Sequence, residues 1–315
     1  GTRIVRSKPA RALVVGVLLV GTIAMTVMVI NLWDVVLAAP PIGGEPISVQ
    51  GPTSIVSNSQ GTVQAAVAAD LDADGHPDVA FGQSDALRIV ANTGVTTTEW
   101  ASVVTVGGAP YDIQDVQAVD LDRDGALDLI SASADGTGNS QLSLWQNPTS
   151  PFANSWTVSN TLATSAISLT SVASGDLDHN GTPDLVSGGL DGVLRLWSNP
   201  LTGTQSFDTA WSSPVTVSTP GDQVRQVVVV DVDRDGWLDI VEAAGDGSAG
   251  AVRLWRNPGD PFATTWTVSN TVGTSSSTIA SISVGDLDDD GALDIVAGLA
   301  SGDVVAWRNP LTGTQ

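Results

Sequence analysis

With 315 residues and 42% hydrophobic content the chain can bury a core, but its length suits an array of small units or a barrel better than one compact body. Twelve Lys and Arg stand against 34 Asp and Glu, a formal net charge of −22. Such a surface repels phosphate, so nucleic acid is not an expected partner. No cysteine is present, which excludes disulfides, thiolate metal sites and cysteine nucleophiles, and the two histidines are too few for a multi-histidine zinc site.

The first residues are basic: Arg3, Arg6, Lys8 and Arg11. Residues 12–30 then run without a charge, close to the roughly 20 apolar residues that span a bilayer. Positive charge ahead of the span predicts a cytoplasmic N-terminus and an exported remainder. Trp33 falls where a headgroup-level anchor would sit. The competing reading is a cleaved signal peptide, with Val36-Leu37-Ala38 as the small-residue site. Residues 1–39 are therefore expected to be a signal peptide or a single transmembrane anchor. Either places the rest outside the cytoplasm, at the cell surface or beyond it. Residues 40–52 are rich in Pro and Gly and read as a linker.

Residues 53–315 are a repeat array. Asp70-Leu71-Asp72-Ala73-Asp74-Gly75-His76-Pro77-Asp78 returns as 120–128, 176–184, 231–239 and 286–294. Only the third copy departs, with Asn180 at its fifth position. Successive copies are 50, 56, 55 and 55 residues apart, a period that signals a propeller or a related array. Ahead of each loop runs a short β-branched segment, such as 224–230, which reads as an inner strand. Behind each loop Asp78, Asp128, Asp184, Asp239 and Asp294 open a second strand. Gly/Asp turns such as Asp191-Gly192 then predict a hairpin. The third strand ends in Trp145, Trp197, Trp255 or Trp307, each followed by x-Asn-Pro, where Pro stops the ladder. The first repeat has neither this Trp nor the Pro. A fourth strand is expected from Trp100, Trp156, Trp211 and Trp266. Four antiparallel strands per unit make a propeller blade, so the fold class is all-β, with helix confined to the N-terminal segment.

The last unit stops at Leu311-Thr312-Gly313-Thr314-Gln315, and the same five residues at 201–205 precede a fourth strand. Two readings follow. Residues 53–58 resemble 156–160 and would complete the fifth blade and close the ring. Alternatively five blades are the visible part of a larger array, which is the reading the cut look of both ends favours.

Carboxylates at alternate positions with a glycine for the sharp turn surround a hard cation with oxygen, and calcium takes six to eight such ligands. Nineteen of the 34 acidic residues lie in the five loops, so one divalent ion per loop brings the net charge to about −12. Expected ligands are the first, third, fifth and ninth side chains and the seventh backbone carbonyl. These are Asp70, Asp72, Asp74, His76 and Asp78; Asp120, Asp122, Asp124, Ala126 and Asp128; Asp176, Asp178, Asn180, Thr182 and Asp184. The fourth and fifth sets are Asp231, Asp233, Asp235, Trp237 and Asp239, and Asp286, Asp288, Asp290, Ala292 and Asp294. Asn180 keeps an oxygen but loses a charge, so the third site is expected to be the weakest. An EF-hand would need Glu at the twelfth position, where Phe81, Ser131, Ser187, Glu242 and Ala297 stand. The ions are expected to be structural rather than catalytic, because no loop is set apart by a neighbouring acid or base.

In these loops and the Trp-x-Asn-Pro segments the chain resembles the FG-GAP and VCBS-type repeat proteins, as in the head of integrin α chains. Phe81-Gly82 and Gly108-Ala109-Pro110 echo that signature, and the other repeats lack it. The resemblance implies a propeller, calcium in the loop between the first two strands of a blade, and exported adhesion or recognition. The expected function is a non-catalytic recognition, adhesion or scaffold module for a protein or glycan ligand. Rival readings are an accessory subunit of a membrane complex and a carboxylate-dependent polysaccharide enzyme, for which Glu242 and Asp246 are the nearest acid pair. The repeated tryptophans read as packing between blades. Trp237 breaks the repeat pattern and is the candidate ligand contact. Arg195, Arg253 and Arg308 read as surface ion-pair partners.

Overall fold

A computed structural model describes residues 61–94, 100–166, 168–201, 206–218 and 221–310. The expected signal or anchor (1–39), the linker (40–52) and the strand suggested for 53–58 lie outside the described residues. Among the described residues there is no helix. They form five antiparallel sheets, each with its strands in chain order. Sheet one is β1 (Val63–Ala69), β2 (Asp78–Gln83), β3 (Ala86–Val90) and β4 (Val104–Gly108). Sheet two is β5 (Ile113–Val119), β6 (Asp128–Ala134), β7 (Asn139–Gln146) and β8 (Thr157–Ala166). Sheet three is β9 (Leu169–Gly175), β10 (Asp184–Gly189), β11 (Leu194–Trp197) and β12 (Val215–Ser218). Sheet four is β13 (Val224–Val230), β14 (Asp239–Gly245), β15 (Gly250–Arg256) and β16 (Thr267–Ser275). Sheet five has three strands, β17 (Ile279–Gly285), β18 (Asp294–Leu299) and β19 (Val304–Trp307). These are propeller-like blades, as the repeat period predicts.

Each acidic loop joins a first strand to a second. Fourth strands begin just after Trp156 and Trp266 as expected. In sheets one and three they begin later, at Val104 and Val215, with Trp100 reduced to a single bridge to Asn92. The apolar interior is divided. One cluster joins Leu87 and Ile89 of sheet one to Ile113 and Leu129 of sheet two, and the three others likewise bridge consecutive sheets. Trp145, Trp197 and Trp255 are buried in these seams, so the packing reading of the repeated tryptophans holds for them.

Polar clasps cross the seams as well. First strands carry a bulge near their start, for example between Ile113 and Asp115 and between Val224 and Gln226. A bulge re-aims a side chain out of the ladder. Asp115 thereby accepts the Val172 N–H at 2.8 Å and the Ser171 hydroxyl at 3.0 Å from the next sheet. Ser171 Oγ in turn accepts the Val227 N–H at 3.2 Å, and Gln226 Oε1 accepts the Ile282 N–H at 2.7 Å. Burial pushes the Asp115 carboxyl up to about 6 against the pull of its donors.

The Asn of each Trp-x-Asn-Pro segment makes a second clasp. Asn147, Asn199, Asn257 and Asn309 donate from Nδ2 to the carbonyls of Leu71, Leu121, Leu177 and Val232 in the preceding sheet, at 2.9–3.1 Å. Each accepting carbonyl belongs to the second residue of an acidic loop. The same asparagines donate their backbone N–H groups to the ninth carboxylates of their own loops at 2.8–2.9 Å.

Candidate metal centres

All five loops are built alike from the backbone outward. The fourth residue (Ala73, Arg123, His179, Arg234, Asp289) has φ of 58–63°, and the sixth, always Gly, has φ of 87–93°. Two left-handed residues in three turn the chain tightly, and the second lies where a Cβ is disfavoured. The first Asp then accepts the Gly N–H through Oδ2 at 2.9–3.1 Å. The fifth side chain accepts the N–H of the seventh residue at 2.8 Å in every loop. The ninth Asp accepts two backbone N–H groups, one from the second loop residue and one from the clasp residue, as Asp184 does from Leu177 at 3.1 Å and Asn199 at 2.8 Å.

Carboxylate oxygens converge within 4.8 Å of one another in every loop. The triads are Asp70, Asp72 and Asp78; Asp120, Asp122 and Asp128; Asp176, Asp178 and Asp184; Asp231, Asp233 and Asp239; and Asp286, Asp288 and Asp290. The first and third expected ligands are together in all five. The ninth joins them in the first four loops and the fifth in the last. Asp74, Asp124, Asn180 and Asp235 stand outside the tight triads, each with Oδ1 turned to its own seventh N–H. Asn180 also donates Nδ2 to Asp178 at 3.1 Å and accepts the Thr182 hydroxyl. Among the seventh residues, Ala292 and Thr182 are buried while His76 is exposed.

Two observations fit a cation. Oδ1 of Asp176, Asp231 and Asp286 is buried without a donor, a costly state for a carboxylate oxygen unless something positive meets it. Burial, with the loop's other carboxylates adding to it, pushes the Asp128 and Asp184 carboxyls up to about 7 and Asp239 up to about 6. Burial raises Asp78 as well. Like charges so close need a counter-ion to stay ionised at neutral pH.

The sign of the resulting pH dependence is fixed. These carboxyls titrate higher in the folded chain than in the unfolded one. Without metal they therefore favour folding most below about pH 4, and that contribution is lost as pH rises through about 6–7. A bound cation reverses this, because it needs the carboxylates ionised. Melting temperature in chelator is expected to fall from pH 5 to pH 7.5, while the gain on adding calcium grows over the same range. A calcium effect independent of pH would contradict these assignments.

Arg308, expected as a surface ion-pair partner, forks onto Asp288 at 2.6 Å and Asp290 at 2.9 Å. The sequence reading missed its counterpart Arg256, which forks onto Asp233 at 2.6 Å and Asp235 at 2.8 Å. Both follow the third-strand Trp directly, which was the available signal. Gln146 stands in the same place and donates to Asp122 at 3.0 Å. Arg195 pairs with Asp191, but its side chain is only 14% exposed, so the pair is less of a surface contact than expected. Arg253 is not a surface partner: it is largely buried between Asp222 and the fully buried Glu242. Glu242 also accepts the Trp255 indole N–H at 2.7 Å, as Ser131 and Ser187 do for Trp145 and Trp197 at 2.9 Å. Asp246 caps its own turn through the Ser248 and Ala249 N–H groups. Trp237 is half-buried and stacks on His179 of the preceding loop, with ring centroids 4.0 Å apart and planes at 9°. It borders a groove of about 370 Å³ with Asp235, Arg256, Thr265 and Thr267.

The FG-GAP-like repeat pattern matches residues 70–131, 120–187, 176–242 and 243–297. The chain belongs to the FG-GAP-like repeat family. The first three matches each begin on the first Asp of a loop and run through the next loop, so each matched segment spans from one acidic turn to the next. No curated protein matches the chain.

Proposed function

We propose that this FG-GAP-like chain is an exported, non-catalytic recognition or scaffold module whose acidic loops bind calcium, about one ion per loop. The observation that carries the calcium reading is the recurrence of converging carboxylates with an unpartnered buried oxygen on the first Asp of three loops. Oxygen-only donors on a short turn suit calcium better than a metal that prefers nitrogen or sulfur. The first, third, fifth and ninth side chains would hold the ion and pin the turn between the first two strands. The non-catalytic reading is supported by Glu242 and Asp246, each of which spends its carboxylate on the fold. Export rests on the charge pattern of residues 1–39.

Rigid turns on one face would display the groove beside Trp237 to a protein or glycan. One ring face is already taken by His179, which leaves the edge and the adjoining Arg256 for contact. Equilibrium dialysis against calcium tests the first part, with about five ions per chain expected. A glycan and protein binding screen with Trp237→Ala tests the second. Binding is expected to drop at least tenfold, and an unchanged profile would remove Trp237 as the contact.

A further inference from the structure

We propose that Arg256 and Arg308 are built-in counter-cations of loops four and five, and that they make these two loops weaker calcium sites than loops one and two. This rests on the calcium reading of the loops given above. In both loops the same atoms meet in the same way. Nε of the arginine lies 2.6 Å from Oδ2 of the third carboxylate, and Nη2 lies 2.8 or 2.9 Å from Oδ2 of the fifth. Both carboxylates are expected calcium ligands. One guanidinium therefore bridges two of the groups that the ion needs, through two charge-assisted hydrogen bonds.

The position lies one residue after the third-strand Trp, and its occupant differs between repeats. It is Arg in the fourth and fifth, Ser198 in the third and Gln146 in the second. Ala91 stands there in the first repeat, where β3 ends in Val90 instead of Trp. Gln146 reaches Oδ2 of Asp122, the third carboxylate of its loop, at 3.0 Å, so it copies half of the arginine's contact without the charge. Among the described residues no carboxylate of loops one and two enters an ion pair. The sixth-position glycines point the same way. A Cβ at Gly75 or Gly125 would meet nothing within 4 Å, whereas one at Gly291 would lie 2.9 Å from Nη2 of Arg234, the fourth residue of loop four. Loop five thus has two guanidinium groups against it. Loop three, which carries Asn180 in place of a carboxylate and has Arg123 against Gly181, stays the weakest.

The direction follows from what an arriving ion must do. It either displaces the guanidinium, which then gives up both hydrogen bonds, or binds beside it and is repelled by it. Each outcome lowers the affinity. The Arg256 and Arg308 side chains are 55% and 62% exposed, so water screens the charge and holds the effect to about three- to tenfold in dissociation constant.

Each loop carries its own reporter, because the N–H of its glycine is held by the first Asp. In a calcium titration of the full chain followed by amide NMR, Gly236 and Gly291 are expected to reach half-change at about three- to tenfold more calcium than Gly75 and Gly125. Arg256→Gln gives loop four the side chain of loop two. It is expected to bring the Gly236 midpoint down by that factor and to leave Gly291 where it was. Gln146→Arg is expected to move the Gly125 midpoint up by the same factor, and it carries the test if Arg256→Gln fails to fold. Equal midpoints in the unmodified chain, a Gly236 midpoint that stays or rises in Arg256→Gln, or a Gly125 midpoint unmoved by Gln146→Arg would overturn the proposal and leave the calcium reading intact. Glycine amides that ignore calcium in every loop would overturn both.

Discussion

Adding calcium at millimolar concentration to chelated protein is expected to raise the melting temperature by about 4–28 °C. Extracellular modules bind the ion with a Kd of about 10⁻⁴–10⁻³ M. At that affinity each filled loop adds about 0.4–1.4 kcal/mol by mass action, and five add about 2–7 kcal/mol. For a domain of this size, each 1 kcal/mol is worth about 2–4 °C. Such a gain would arise in the loops. Asp176, Asp231 and Asp286 each bury an oxygen with no donor, and Asp128, Asp184 and Asp239 are driven toward protonation by burial. A bound ion would relieve both penalties, and differential scanning fluorimetry in calcium and in chelator measures the sum. Coincident melting curves would defeat the calcium reading, and magnesium at equal concentration should do less. The third loop, with Asn180, is expected to release its ion first.

Trp255→Ala is the second large effect, a loss of about 3–5 kcal/mol from truncating a buried aromatic. Trp255 is 1% exposed and sits in the seam between sheets three and four. Its loss also strips the indole donor from Glu242, a fully buried carboxylate left with Arg253. Leaving such an acceptor short of a partner adds about 1–3 kcal/mol. Trp255→Phe keeps most of the volume and loses only the N–H, so it should fall between wild type and Ala. Urea denaturation orders the three, and a Trp255→Ala chain within 1 kcal/mol of wild type would deny the seam its role.

Local pattern carried much of this in the sequence. A loop of alternating aspartates with its glycine is short-range chemistry, so its place between two strands could be read from spacing alone. The third-strand tryptophans could be assigned to packing because they recur once per unit. Relations between units were less legible. Arg253 looks like any surface arginine until Glu242 is seen buried beneath it. Asn147, Asn199, Asn257 and Asn309 read as the residue before a Pro, whereas they tie one sheet to the loop of another across 76 to 80 residues. Arg308 could be read as an ion-pair partner, but Arg256, in the same place after its Trp, was not, because its partners come from a turn some 20 residues earlier.

The divided interior has a consequence for how the molecule comes apart. Since every apolar cluster is shared by two neighbours, a repeat on its own has no inside, and the least unit able to hold its shape is a pair. Among the described residues, losing sheet two, three or four would empty two clusters at once. Unfolding should therefore spread from a damaged repeat to its neighbours, and a protease would leave fragments that stop at the junctions between sheets.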